Sequence, residues 1–152
     1  IWSGSFSIGV NVLFRIIEHA AKLINRLDDY DVLAHEFHHK NKADSPSGTA
    51  MMLGKILVDN IDRKKKLVFD QLERKIAPDE LHFSSSRGGA IPGTHMILFD
   101  SAVDTIEIKH TARCREDFAV GAIMAAEFIQ AKTGFYTIDD LMEGIIGGVT
   151  KH

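Results

Sequence analysis

The sequence predicts an α+β fold in which an open mixed β-sheet has helices packed on one face. Two observations lead to this prediction. Helical and strand patterns are partly segregated along the chain, and three strand patterns follow one another without a helix between them. The 152 residues, 45% of them hydrophobic, match the length and composition of one ordinary domain with a buried core. We therefore expect residues 1–152 to form a single domain.

Hydrophobic periodicity and capping residues place the elements in order. They are a helix over Val12–Leu27, a strand over Tyr30–His38, a helix over Gly48–Ile61, strands over Leu81–Ser86, His95–Asp100 and Asp104–Thr111, a helix over Glu116–Ala131 and a short helix after Thr137. Helices are predicted where apolar residues recur every three or four positions, with Asn11, Ser47 and Thr137 as caps. Polar and apolar residues alternate most clearly in the strand over Asp104–Thr111, whereas Tyr30–His38 could locally also form a helix and the segment 67–80 is ambiguous.

Composition and charge exclude several classes of protein. With 18 Lys and Arg against 21 Asp and Glu, the net charge of -3 gives no basic field for nucleic acid or an anionic membrane. The uncharged stretch Ile1–Phe14 is shorter than the roughly 20 apolar residues of a membrane helix, and no basic n-region precedes it. The single Cys114 excludes an internal disulfide. We expect a cytoplasmic protein without nucleic-acid or membrane partners.

The chemically active side chains concentrate in residues 35–50. Three of the eight histidines, His35, His38 and His39, fall within five residues, and Lys42 follows them. Histidine exchanges protons near neutral pH, and a lysine adds positive charge and a second donor. This pattern is typical of a site that binds an acidic small molecule and moves a proton. The alternative is a solvated loop that is merely polar.

The start of the second helix offers an anion-binding site. The first N–H groups of a helix have no intrahelical partner, and the helix dipole favours a negative charge beside them. Gly48 and Thr49 would present such groups directly after the cap residue Ser47, and Gly48 has no side chain to block an approaching carboxylate or phosphate. The alternative is an ordinary capped helix.

Two further patterns have weaker interpretations. His35–His39 matches the H-E-x-x-H pattern of zinc proteases, but that pattern binds zinc only on a helix, and here a strand is predicted. We therefore expect no metal site. Arg63–Lys66 is expected to be the solvated end of the second helix, and His95 is expected to be packed or exposed without a special role. No G-x-G-x-x-G sequence is present, so the chain lacks a dinucleotide-binding fingerprint of its own.

A longer signature contains these residues. Glu36–Ala50 resembles the sequence E-x-H-H-x-x-K-x-D-x-P-S-G-T-A, which marks the dihydrodipicolinate reductase family. Phe6–Asn11, His110–Ala112 and Arg115–Ala119 resemble further segments of the same family. The resemblance covers nearly the whole chain, but only the C-terminal domain of that family.

The resemblance implies a two-domain NAD(P)H-dependent reductase of lysine and diaminopimelate biosynthesis. Its N-terminal Rossmann domain, which mainly binds NADH or NADPH, is absent from this chain, in keeping with the abrupt start at Ile1. The C-terminal domain binds a small dicarboxylate substrate and forms a homotetramer through its sheet. A non-catalytic module for dicarboxylate binding or for oligomerisation is the alternative.

The resemblance also implies roles for individual residues. His38 matches the proton donor, and Lys42 matches the second catalytic donor. His39 matches a histidine that contacts substrate, while Gly48 and Thr49 match the backbone donors that hold a substrate carboxylate.

A separate loop is implied to contact the cofactor, and it consists of Ser3, Gly4, Ser5 and Phe6. The family usually has asparagine where Ser5 stands, so this sequence departs from the pattern at one position of the loop.

Overall fold

The computed structural model describes residues 1–114 and 116–147. Its elements are α1 (Ile8–Ile24), β1 (Asp31–His38), α2 (Gly48–Asn60), β2 (Lys66–Val68), β3 (Glu80–Arg87), β4 (Thr94–Asp100), β5 (Thr105–Thr111), α3 (Glu116–Phe128) and α4 (Ile138–Gly147). The predicted α+β class with an open mixed sheet is confirmed. The ambiguous segment 67–80 begins within the short strand β2 and ends at the first residue of β3.

The five-stranded sheet has the order β2-β3-β1-β4-β5, with β1 at its centre. β3 runs parallel to β1 and to β2, whereas β4 runs antiparallel to β1 and to β5. In this register Glu36 of β1 lies opposite Ser85 of β3 and His95 of β4, and His38 lies opposite Arg87. The centre of the sheet thus brings together polar residues that are distant in sequence.

The described chain divides into two compact units, residues 1–12 with the residues from Cys114 on, and Leu13–Arg113. In the second unit, burial alternates along β1, so one face of the sheet is covered. α2 buries Leu53 and Leu57, and a Cβ on Gly54 would lie 2.8 Å from the side chain of Leu67, so the helix packs closely on β2. This covered face holds the core of the unit.

The first unit has a smaller core of its own, which contains Ala125, Ile138, Leu141 and Met142. Its N-terminal segment is tied to the start of α4, because Trp2 donates to the carbonyl of Tyr136 and accepts from the N–H of Ile138.

The first helix begins at Ile8, earlier than the predicted Val12. Its cap is Ser7, whose Oγ accepts from the N–H of Val10 at 3.0 Å. Asn11, the predicted cap, lies inside the helix, and its side-chain amide donates to the carbonyls of Ser5 and Ser7. Both residue types are good caps. The hydroxyl of Ser7 also donates to Oδ2 of Asp117, which is distant in sequence, and this contact favours Ser7 as the cap.

The predicted solvation of Arg63–Lys66 is wrong for two of its residues. Lys64 is buried, donates to the carbonyls of Pro78 and Glu80, and lies 2.7 Å from Oδ1 of Asp31. Arg63 donates to the carbonyl of Tyr30 at the end of the α1–β1 connection. These cations satisfy buried or orphaned backbone carbonyls, which a local charge pattern does not reveal.

Among residues 1–114 and 116–147, none of the helices has both the length and the apolar character that crossing a membrane requires.

Candidate active site

A buried carboxylate, Glu36, lies at the centre of the candidate site. Glu36 is 0% exposed on the covered face of β1. Its Oε1 accepts hydrogen bonds from the N–H of Ser47 (2.9 Å), the hydroxyl of Ser85 (2.8 Å) and Nη2 of Arg87 (2.9 Å). A buried charge is tolerated only when it is paired and hydrogen-bonded in this way.

The second carboxylate oxygen of Glu36 faces two histidines. Oε2 accepts a hydrogen bond from the hydroxyl of Ser47, and Nδ1 of His38 and Nε2 of His95 each lie 3.4 Å from it. Burial alone would raise the pKa of Glu36. The contacts with His95, Ser47 and Arg87 outweigh burial and hold that pKa well below its usual range. Glu36 is therefore negatively charged at neutral pH.

His38 is buried at the end of β1 and is uncharged at neutral pH. A Cβ on Gly93 would lie 3.0 Å from Nε2 of His38, so the absence of a side chain at Gly93 gives the ring its space. Burial lowers the pKa of His38 to about 4; Glu36 opposes this shift, and the positive charges of Lys42 and Arg87 add to it. A new negative charge beside the ring would raise this pKa.

Lys42 lies in the loop that follows β1. The N–H of His39 donates to the carbonyl of Ile91 (2.8 Å), and the N–H of Lys42 donates to the carbonyl of His39 (3.1 Å). Nζ of Lys42 pairs with Oδ1 of Asp44 at 2.8 Å. These bonds fix the chain from the strand end through the turn, so His38, His39 and Lys42 occupy one short, anchored segment.

The start of α2 has the geometry of the predicted anion-binding site. Ser47 caps the helix, since its Oγ accepts from the N–H of Ala50 at 3.1 Å. Gly48 and Thr49 follow, and their N–H groups belong to the first turn, where no intrahelical acceptor exists. Gly48 is exposed, and no atom lies within 4 Å of the position where its Cβ would be. An anion can therefore approach these donors closely.

The residues predicted to contact a cofactor lie in the first unit; they are Ser3, Gly4, Ser5 and Phe6. Gly4 is exposed. Ser5 is buried, and its Oγ accepts from the N–H of Ser7 at 3.4 Å. Phe6 packs against the small core that contains Ala125. Gly4 thus has surface to offer a ligand, while the hydroxyl of Ser5 is directed into the unit. Their assignment to the cofactor stays a prediction.

The zinc-protease interpretation of His35–His39 is excluded by the backbone, because this segment is a strand up to His38. Successive residues of a strand point to opposite faces. His35 accordingly lies away from Glu36, and its ring nitrogens contact the hydroxyls of Ser84 and Ser86.

Arg115, which directly precedes the predicted third helix, lies outside the described residues.

Sequence reasoning missed three members of the cluster: Glu36, Arg87 and His95. Glu36 stands in the signature but was assigned no role, and His95 was expected to be ordinary. The alternation of a strand could have placed Glu36 beside His38 on one face, since they are two residues apart. Arg87 and His95 come from neighbouring strands, and only the register of the sheet reveals them.

Glu36, His38 and His95 each offer a possible metal ligand, and the three atoms lie within 4.8 Å of one another. A metal ion would have to displace existing bonds, because both oxygens of Glu36 already accept hydrogen bonds and Arg87 supplies positive charge. The arrangement therefore favours a hydrogen-bonded cluster over a metal centre.

The buried histidine predicts a pH dependence of stability. The pKa of His38 falls from 6.5 to about 4 on folding. The unfolded chain then binds more protons between these values, so the free energy of unfolding decreases as the pH falls from about 6.5 to 4, by at most about 1.4 kcal/mol per pH unit. Glu36, whose pKa is lowered, gives stability that is lost only below its unfolded value of 4.5.

Urea unfolding between pH 7 and 4.5 measures this slope. We expect His38→Asn to reduce the slope without abolishing it, because burial also lowers the pKa of His35. His19→Asn, at an exposed position of α1, is the control. An identical slope in His38→Asn and the parent would contradict the assignment.

Comparisons with known proteins agree with the signature. A sequence profile described as dihydrodipicolinate reductase, C-terminus, matches residues 9–142. The 4-hydroxy-tetrahydrodipicolinate reductase of Christiangramia forsetii is 38% identical over 145 residues, which are 95% of this chain and 59% of the relative. That of Archaeoglobus fulgidus is 40% identical over 149 residues, 94% of this chain and 56% of the relative. The chain thus spans less than two thirds of these curated relatives.

A solved structure shows the same fold. It is a dipicolinate-bound dihydrodipicolinate reductase from Paenisporosarcina sp. TG-14, with a TM-score of 0.66 at 18% identity, and the match covers 88% of this chain and 50% of that one. The profile spans most of the chain, and two relatives are 38% and 40% identical to it. The chain therefore belongs to the dihydrodipicolinate reductase family and corresponds to its C-terminal part.

Proposed function

We propose that this chain is the substrate-binding and catalytic half of an NAD(P)H-dependent 4-hydroxy-tetrahydrodipicolinate reductase of lysine and diaminopimelate biosynthesis. The observation that carries the proposal is the cluster of polar contacts around Glu36. It joins the start of α2 to His38 and, through Arg87 and Asp44, to the loop of Lys42. Carboxylate-binding donors and proton donors are thereby built into one anchored site. The names of the relatives and the dipicolinate in the neighbouring structure support the same substrate class.

The start of α2 binds one substrate carboxylate through the N–H groups of Gly48 and Thr49. His39 and Lys42 supply further donors for the dianion, and charge-assisted hydrogen bonds of this kind are roughly twice as strong as neutral ones. The negative charge that arrives with the substrate raises the pKa of His38. His38 and Lys42 then supply the proton that the reduced ring requires.

The reduced nicotinamide supplies the hydride when it is bound. An N-terminal domain outside residues 1–152 would hold most of the NADH or NADPH, and the Ser3–Phe6 loop would reach it. The exposed backbone of Gly4 gives that loop a surface for contact. The buried hydroxyl of Ser5 stays in its own unit.

We further propose a cytoplasmic homotetramer that assembles through the sheet. The face of β1 and β4 opposite Glu36 carries Leu33, Phe37, Met96 and Leu98, and Leu33 is 45% exposed. Apolar residues that adjoin one another on an open sheet are typical of a surface covered by a second subunit.

Calorimetric titration with pyridine-2,6-dicarboxylate tests the proposal on this chain. We expect saturable binding that is at least about tenfold tighter than that of pyridine-2-carboxylate, because the second carboxylate accepts hydrogen bonds from further donors in the site. Gly48→Glu should abolish binding, since it places a negative charge at the helix start. It should leave the fold intact, because that position is open and the helix dipole favours the new charge.

The matched control is Ala102→Glu, an exposed position in the β4–β5 turn at the end of the sheet away from His38. It should bind like the parent. Failure of the parent to bind the dicarboxylate, or equal binding by Gly48→Glu, would contradict the proposal.

A further inference from the structure

Glu36 has no part in the roles proposed above, yet it is connected to the start of α2, to His38 and to the loop that carries Lys42. The roles fall to the N–H groups of α2 and to the side chains of His38, His39 and Lys42. Glu36 is fully buried, and its two oxygens accept hydrogen bonds from Ser85 and Arg87 of β3 and from Ser47 in the loop before α2.

The first connection runs to the carboxylate-binding end of α2. Ser47 donates to Glu36 twice, through its N–H to Oε1 and through its hydroxyl to Oε2. The same hydroxyl caps the helix by accepting from Ala50. Gly48 and Thr49 follow Ser47 directly. The two hydrogen bonds between Ser47 and Glu36 of β1 therefore fix the direction in which the N–H groups of Gly48 and Thr49 point.

The second connection runs to the proposed proton donor. His38 lies two residues after Glu36 on the same face of β1, with Nδ1 at 3.4 Å from Oε2. Among the described residues Nδ1 of His38 has no hydrogen-bond partner. A carboxylate beside one ring nitrogen orients an imidazole and stabilises its protonated form, and such contacts often shorten only when substrate binds.

The third connection runs to the loop that carries Lys42. Arg87 donates to Oε1 of Glu36 at 2.9 Å and to the carbonyl of Asp44 at 2.7 Å. Asp44 in turn pairs with Nζ of Lys42. The guanidinium therefore ties the Lys42 loop to the same carboxylate.

We propose that Glu36 is a positioning residue, whose carboxylate sets the carboxylate-binding N–H groups of α2 and the imidazole of His38 in one geometry. This inference rests on the proposed function and adds to it the group that aligns its parts. Neither oxygen of Glu36 needs to touch the substrate for this role.

The negative charge of Glu36 and its positioning role have opposite effects on the binding of a dianion, and this makes the proposal testable. Removing a negative charge near the site would by itself tighten the binding of a dianion. Glu36→Gln keeps the shape but leaves one acceptor oxygen where the carboxylate had two. Either the hydroxyl of Ser47, or Arg87, Ser85 and the N–H of Ser47, then lose their acceptor. A positioning role therefore predicts weaker binding.

The experiment titrates the parent and Glu36→Gln with pyridine-2,6-dicarboxylate. We expect the Kd of Glu36→Gln to rise at least tenfold, and the ring nitrogen chemical shifts of His38 to change in the NMR spectrum. Glu18→Gln, on the surface of α1 where it pairs with Lys22, should alter neither. A Kd for Glu36→Gln that is equal to or lower than that of the parent would overturn the proposal.

A second pair of variants keeps the test decisive if Glu36→Gln does not fold. Ser47→Ala removes one of the two bonds to Glu36, and Ser47→Thr retains the hydroxyl. We expect Ser47→Ala to weaken binding by at least threefold and Ser47→Thr to restore it. Equal binding by Ser47→Ala and the parent would refute the positioning role. Loss of binding by the parent itself would instead refute the proposed function.

Discussion

Turnover is expected to fall at least about a hundredfold when His38 is replaced by alanine, and at least as far when Lys42 is replaced by methionine. General acid catalysis contributes about 10²–10⁴ in rate, and each substitution removes one of the two proposed proton donors. His38→Ala should lower turnover more than it weakens substrate binding, because the carboxylates are held mainly elsewhere. Lys42→Met should affect both, since it removes a positive charge beside a dianion together with a proton donor.

The measurement is the oxidation of reduced nicotinamide, at saturating substrate, by the proposed two-domain reductase in which this chain follows a nucleotide-binding domain. Lys40→Met is the matched control, because Lys40 lies in the same loop with an exposed side chain, and its backbone N–H keeps its bond to the carbonyl of Gly89. It should retain most of the parent's turnover. Turnover of His38→Ala equal to that of the parent would contradict its role as proton donor.

Gly121→Ala is expected to destabilise the first unit by about 3 kcal/mol. A Cβ at this buried position of α3 would overlap the carbonyl oxygen of Phe6 and lie 2.8 Å from its carbonyl carbon. Both contacts are with backbone, so no side chain can rotate away. Because Phe6 ends the proposed cofactor loop, the variant should also weaken NAD(P)H binding by the proposed two-domain reductase.

Chemical unfolding measures the loss of stability, and calorimetric titration with NAD(P)H measures the loss of cofactor binding. The control is Gly144→Ala in α4, where the nearest atom would be 3.8 Å away, an ordinary contact. This variant should be as stable as the parent or slightly more stable, since alanine favours a helix. Gly121→Ala should still bind pyridine-2,6-dicarboxylate below its unfolding transition, because Gly48 and Thr49 belong to the other unit. Equal stability of Gly121→Ala and the parent would show that this contact is not close in solution.

Local patterns were sufficient for most elements but not for every boundary. The local sequence predicts a short strand over Tyr30–His38 and a helix start after the cap Ser47, and the structure has β1 and α2 at these places. The choice between Ser7 and Asn11 as the cap of α1 depended on contacts with residues distant in sequence. In the same way, Lys64 is buried because it donates to the backbone carbonyls of Pro78 and Glu80, and the charges of residues 63–66 alone do not indicate these partners.

The sequence predicts the site residues that are close together in the chain, but not those that neighbouring strands contribute. His38, Lys42, Gly48 and Thr49 lie within one short signature, so their proximity follows from sequence. Arg87 and His95 join them only because β3 and β4 flank β1 in a particular register. The positioning role of Glu36 depends on those cross-strand neighbours, and it therefore required the structure.

The most direct measurement is a crystal structure of this chain with pyridine-2,6-dicarboxylate. The account predicts one carboxylate within about 3 Å of the backbone nitrogens of Gly48 and Thr49, the usual length of such a hydrogen bond. It also predicts that the ring lies between the start of α2 and the segment of His38 and Lys42. A dicarboxylate bound away from α2, with Gly48 and Thr49 in contact with solvent, would contradict the account.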